Sequence, residues 1–381
     1  MGPRAALRTI LASALLASAG AVAIGYATAA SASGRSSGEA FGASGSLPSN
    51  TSELDLLVRN GATEYRTDAQ WPTAEPAAPV NGVHTYVWAS FDAIASTLAE
   101  HGLRWFPILD YSPAWASSDG TEFGAPADPA AFAAYAAAFA ARYGVGGSFW
   151  ASHPQLAALP VTEYEIWNEE NIPLFWHQQA SAPAQYASLL LAARRSIKAV
   201  VPSARVVLGG VLDGGADALG FLAAMERAHP GALRSMDAIG YHPYQGNLQA
   251  ILERIAALRR LLRQAGASGV PIDITEMDAN DHQTSMASWS QAMARLGTTL
   301  AASPGCKVSR VFAYMGAPPI GNTDADSYGW FTLFGQDGTL DAVGLAYVAS
   351  MHRALSYSGA HGTLCAAGAS VSHTHTGVRP A

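Results

Sequence analysis

Short apolar runs alternate with longer amphipathic stretches over most of the chain. The runs are rich in β-branched and aromatic residues and predict buried strands, whereas the stretches place apolar residues three and four apart and predict covering helices. A weak strand at 40–44 leads to a helix at 52–59, which Ser52 and Glu53 suit at its start and Gly61 at its end. Further strands are predicted at 64–68, 104–110, 164–167, 205–211, 236–241, 271–276 and 309–315. Helices follow them at 91–101, 128–143, 184–200, 216–228, 248–262, 285–302 and 342–355. Phe132, Tyr135 and Phe139 form an aromatic stripe expected to face the core. Leu248, Ile251, Leu252, Ile255, Leu258 and Leu262 repeat in the same way, with Arg254, Arg259, Arg260 and Arg263 on the remaining positions.

Eight strand–helix units fit an α/β chain folded as a single (β/α)8 TIM barrel over 40–365 better than an open doubly wound sheet. Nothing marks a second domain. Such a barrel carries its chemistry at the C-terminal ends of the strands, and that is where the polar clusters of this sequence fall. The stretch from Gly316 to Trp330 is long enough for a functional loop.

Composition adds limits. The chain has 381 residues, 49% of them hydrophobic, enough for a large core, and a formal charge of -7. Arg4 and Arg8 precede an apolar run from Ile10 to Ala30 with small-residue sites at Ala27-Thr28-Ala29 and Ala30-Ser31-Ala32, so 1–32 reads as a signal peptide for secretion. The run could span a bilayer, but Ser13, Ser18, Gly20, Gly25 and the cleavage sites argue against a retained anchor. Without that segment the chain carries 20 basic against 29 acidic residues, which disfavours nucleic acid as a partner. Residues 33–39 read as a flexible spacer and 366–381 as a disordered tail. Cys306 and Cys365, the only cysteines, are either one disulfide or two free thiols. Oligomeric state is not legible.

Two predicted strands end in acid. Tyr164-Glu165-Ile166-Trp167 runs into Asn168-Glu169-Glu170-Asn171, and Pro271-Ile272-Asp273-Ile274-Thr275 runs into Glu276. A pair of carboxyl groups facing each other across a barrel mouth is what hydrolysis of a glycosidic bond requires: one acid protonates the leaving oxygen, and one carboxylate attacks or stabilises the anomeric carbon. Alternation along the fourth strand places Glu165, Trp167 and Glu169 on one face, with Glu165 inside the barrel needing a partner, for which Arg66 is the candidate. Trp71, Trp115, Trp176 and Trp330 leave strand ends and offer stacking faces for sugars, core packing being the competing reading. His373 and His375 lack further ligands at metal spacing, and no phosphate loop, zinc-protease helix or nucleophile elbow is present, so neither metal nor cofactor is expected.

Asn168-Glu169, Glu276 and His242-Pro243-Tyr244, each on the appropriate strand, together resemble clan A glycoside hydrolases. Tyr164 to Glu169, Leu208-Gly209-Gly210 and Tyr111-Ser112-Pro113-Ala114-Trp115 are similar to family 39 and related families. The resemblance implies a retaining enzyme acting on a β-linked carbohydrate, with Glu169 as acid/base and Glu276 as nucleophile. It implies that Arg66 and Tyr244 keep Glu276 ionised, that Asn168 and His242 belong to the site, and that Tyr314, Trp115 or Trp330 offers stacking surface. Trp167 and Glu276 would raise the pKa of Glu169. Glu170 stands where relatives carry proline, leaving a one-residue ambiguity in the acid that strand alternation resolves towards Glu169. A sugar-binding pseudoenzyme and a transglycosylase are the alternatives.

Overall fold

Eight parallel strands pair in chain order and close on themselves. They are β1 (Ala40–Ser44), β2 (Glu64–Gln70), β3 (Arg104–Asp110), β4 (Glu163–Asn168), β5 (Arg205–Leu212), β6 (Ala238–His242), β7 (Ile272–Ile274) and β8 (Val308–Tyr314). The weak first strand is real: β1 pairs with β8 from Ala40↔Arg310 to Ser44↔Tyr314 and with β2 from Gly42↔Glu64 to Ser44↔Arg66. The computed structural model describes residues 40–48, 50–245, 247–277, 286–314, 333–334, 339–340, 342–359 and 362–366. The segments read as signal peptide and spacer, the stretch 316–330 with Trp330, and 367–381 lie outside these residues.

Among the described residues the eight longest helices surround the barrel: α1 (Ser52–Arg59), α2 (Ala89–Glu100), α3 (Pro129–Tyr143), α4 (Ala182–Val200), α5 (Ala218–Ala228), α6 (Leu248–Gln264), α7 (Met286–Ala301) and α8 (Ala342–Ser356). The chain is thus a (β/α)8 barrel. Local chemistry sets several starts. Asp128 caps α3 by accepting from the Ala130 amide, with Pro129 at the first helical position, and Asn247 caps α6 through Ala250. The α3 stripe is core as expected, Phe132, Tyr135, Phe139 and Tyr143 being fully buried. On α6 the arginines are not a solvated face. Arg259 is buried and donates to the carbonyls of Cys306 and Val270, while Arg254 pairs with Asp213. Among the described residues no helix is long and apolar enough to cross a membrane.

Inside the barrel the side chains stack in three layers. At the N-terminal end Arg310 bonds Glu64 at 2.8 Å and Glu163 at 2.6 Å, with Asp273 at 3.7 Å. Above it Phe106, Val207, Ala238 and Phe312 form a dry plug, with the two phenyl rings 4.9 Å apart. Above the plug lies a second charged layer built on Arg66, which is the site described below. Charge at the floor is tolerated because each buried carboxylate there faces a guanidinium.

The two cysteines are joined, linking a turn before β8 to Cys365 beyond α8 across 59 residues of sequence, and Arg263 of α6 donates to the Cys365 carbonyl at 3.0 Å. Closing a loop of this length restricts the unfolded chain, worth on the order of 3–4 kcal/mol in the chain-entropy account. Cys306→Ser is therefore expected to lose about that much stability in urea unfolding. Reductant should lower the stability of the parent chain to the variant's value and leave the variant unchanged.

Candidate active site

One guanidinium holds four strands together at the barrel mouth. Arg66 on β2 reaches Glu165 on β4 through Nε at 2.5 Å, Ser44 on β1 and Glu276 after β7 through Nη1 at 2.8 and 2.7 Å, and Asn168 Oδ1 through Nη2 at 2.9 Å. Arg66 and Glu165 are fully buried. The pairing expected for Glu165 is present, and the same fork continues to Glu276. Accepting at Oδ1 fixes the Asn168 amide and leaves its N–H groups for the cleft.

Glu276 is enclosed by donors. Arg66 contacts Oε1, the Tyr244 hydroxyl donates to Oε2 at 2.7 Å, and His242 Nδ1 lies 3.7 Å from Oε2. Burial alone would raise its pKa, but His242, Arg66 and Tyr244 outweigh burial and hold it below the ordinary glutamate value. Glu169 lies opposite, with Oε1 2.9 Å from the same His242 Nδ1, while Nε2 of that ring meets Thr275 Oγ1 at 3.0 Å. One ligand-type atom from each of Glu169, His242 and Glu276 lies within 4.8 Å of the others. This trio could also hold a divalent ion, but Arg66 already places a positive charge against Glu276.

The two glycines of β5 make room for these groups. A Cβ on Gly210 would fall 1.9 Å from His242 Nε2, and one on Gly209 would meet Ile166 O at 2.6 Å and Glu170 Oε2 at 2.7 Å. The Leu208-Gly209-Gly210 motif is therefore a steric requirement of its neighbours on β4 and β6.

The alternation expected along β4 fails at its end. Trp167 has φ 69° and Glu169 φ 49°, left-handed conformations that side chains of this kind rarely adopt. The twist turns Trp167 outward, where it packs on Trp176, Phe132 and Tyr111 and donates from Nε1 to Phe175 O at 2.8 Å. Asn168 and Glu169 then both face the mouth. Trp167 is thus not the neighbour that acts on Glu169, which instead meets His242. Glu170 is directed behind β4, fully buried beside Gly209 and Tyr186, and its pKa is raised well above the ordinary value, by burial first. Its position away from the cleft removes it as the alternative acid.

A second pair of carboxyls was not singled out by sequence, although both end predicted strands. Asp68 on β2 opens into the cleft, and Asp110 on β3 is buried behind it. Asp68 is exposed to the cleft, where the surrounding walls strip part of its hydration and nearby Glu276 and Glu165 help push it up to about 6 despite Arg66, and Asp110 is raised well above its ordinary value by burial and by Asp68. The cleft has a volume of about 220 Å³ and is lined by Ser44, Arg66, Asp68, Asn168, Glu276 and Tyr314 among others. Tyr314 therefore lies where a stacking residue was expected. Trp115 does not. It packs edge-on to Trp71 at 5.3 Å, donates to Glu75 O at 3.0 Å, and lines a separate cavity with Pro79, His84 and Asp128. Trp71 and Trp176 are fully buried in the core, so packing won at both.

No protein-family model matches the sequence, and no curated protein does. Solved structures do match. A monomeric β-xylosidase from Caulobacter crescentus CB15 is 19% identical with a TM-score of 0.59, covering 82% of this chain and 67% of its own. A family 39 glycoside hydrolase from the gut symbiont Bacteroides cellulosilyticus WH2 is 22% identical with a TM-score of 0.59, covering 82% of this chain and 64% of its own. A GH5_18 enzyme from Bifidobacterium longum subsp. longum ATCC 55813 is 16% identical with a TM-score of 0.58, covering 85% and 81%. These likenesses show a shared (β/α)8 barrel fold. The chain spans about two thirds of the length of the first two.

Two outcomes follow from this geometry. Gly210→Ala should displace the His242 ring and lower stability in urea unfolding by about 1–3 kcal/mol, the usual cost of overpacking a tight interior, and circular dichroism should show the fold retained. Asp68 has a folded-state pKa above its unfolded one, so its contribution to stability is fully present below about pH 4 and lost as pH rises through about 6. Asp68→Asn removes that loss. Its melting temperature relative to the parent chain should therefore rise between pH 4 and pH 7.

Proposed function

We propose that the protein is an exported retaining glycoside hydrolase acting on a β-linked oligosaccharide or polysaccharide. The carrying observation is the pair Glu169 and Glu276, whose nearest oxygens lie within 4.8 Å at the C-terminal end of the barrel, with Glu276 lining the cleft. That spacing supports double displacement, which uses carboxyl groups about 5–5.5 Å apart, over single displacement through water at about 6.5–9.5 Å.

In this reading Glu276 is the nucleophile. Arg66 and Tyr244 hold it ionised and aim one oxygen at the anomeric carbon. Glu169 is the acid/base: it gives its proton to the leaving oxygen as the glycosyl–Glu276 ester forms, then takes one from the water that releases the sugar. His242 sits between the two and can exchange a hydrogen-bonded proton with Glu169 at 2.9 Å. Asn168 presents its amide N–H groups to the sugar hydroxyl next to the reacting carbon. The matched β-xylosidase of Caulobacter crescentus and the exo-β-1,4-mannosidase of an Opitutaceae bacterium support a β-linked substrate. The Cys306–Cys365 bond supports an oxidising compartment and therefore export.

On an activated aryl β-glycoside, Glu169→Ala and Glu276→Ala should each lower kcat by at least about 10²-fold. If both variants keep parental activity, the assignment is wrong. Proton NMR of the first-formed sugar should show the anomer of the substrate, and its opposite appearing first would exclude double displacement.

A further inference from the structure

We infer that Asp68 and Asp110 form a subsite for the free ammonium group of an unacetylated amino sugar. The inference rests on the glycosidase reading and narrows its substrate class.

Strand alternation turns Arg66 and Asp68 of β2, with Phe106, Ile108 and Asp110 of β3, towards the barrel interior, in the register Arg66↔Phe106, Asp68↔Ile108 and Gln70↔Asp110. Asp110 is fully buried, and among the described residues no donor reaches either of its oxygens. The group within hydrogen-bond reach of it is another carboxyl, that of Asp68. Two carboxyls can bond only by sharing a proton, so the pair keeps a negative charge and several acceptor positions that no protein donor fills. Asp68 presents that charge to the cleft.

The cleft has no spare cation among its described lining. Arg66 is already divided among Glu165, Glu276, Ser44 and Asn168. Two carboxylates share that one guanidinium, and the Asp68–Asp110 pair adds further negative charge, with Glu122 also acting on Asp110. A sugar carboxylate would enter this field against repulsion. A neutral sugar would supply hydroxyl donors but leave the charge uncompensated. An ammonium group supplies three N–H donors and a positive charge in one small volume, which meets both deficits.

The test uses the full chain carrying Glu169→Gln to stop turnover. It is titrated calorimetrically near pH 6.5 with the β-1,4-linked tetrasaccharides of glucosamine, N-acetylglucosamine and glucose. The glucosamine sugar should bind at least tenfold more tightly than the other two, and salt should weaken that binding alone. Adding Asp68→Asn, or separately Asp110→Asn, should bring the three affinities within about threefold of one another, in variants that melt cooperatively. Equal affinities before those changes, no binding of the glucosamine sugar, or a preference that survives Asp68→Asn would overturn the subsite. Hydrolysis of neutral aryl glycosides that is lost in Glu276→Gln keeps the glycosidase reading even if the subsite fails.

Discussion

The Arg66 guanidinium is the interaction on which the mouth of the barrel depends. It is buried, and taking it out of water is compensated only because its donors end on groups from β1, β4 and the exit of β7 at 2.5–2.9 Å. Those strands must therefore hold register with β2 to within a fraction of a hydrogen-bond length. Planarity also matters, because a lysine ammonium could not direct separate N–H groups at Glu165 and Glu276. A single residue thus couples barrel closure to the charge state of Glu276.

The protein controls its buried acids by choosing their neighbours. Glu276 has donors on both oxygens and is held low, whereas Asp110 and Glu170 have no cation bonded to them and are pushed well up. All three are deeply buried, so burial does not separate them. What separates them is whether a guanidinium was brought within bonding distance, and that is decided by strand order and by glycines that admit the neighbour.

Much of this was written in the sequence because parallel strands are continuous apolar runs and the residues that follow them are polar. The segments ending at Glu169, His242 and Glu276 are therefore conspicuous, and a barrel brings strand ends together whatever their separation along the chain. Local backbone geometry was not legible. The left-handed turn at Trp167 depends on packing against Phe132 and Trp176, which lie outside the strand, so simple alternation misplaced the tryptophan while still placing Glu169 at the mouth. Trp115 follows a strand just as a sugar-stacking residue would, and only tertiary contact with Trp71 distinguishes the two roles. Asp68 and Asp110 were visible as strand-terminal acids, but their proximity emerges only from the β2–β3 register.

The layered interior also makes the barrel a vessel with one opening. Arg310 and its carboxylates close the floor, and Phe106 and Phe312 fill the middle, so the acids of the upper layer exchange protons with bulk water through the mouth. A ligand seated in that mouth would narrow the route by which Asp110 and its neighbours trade hydrogen ions with solvent.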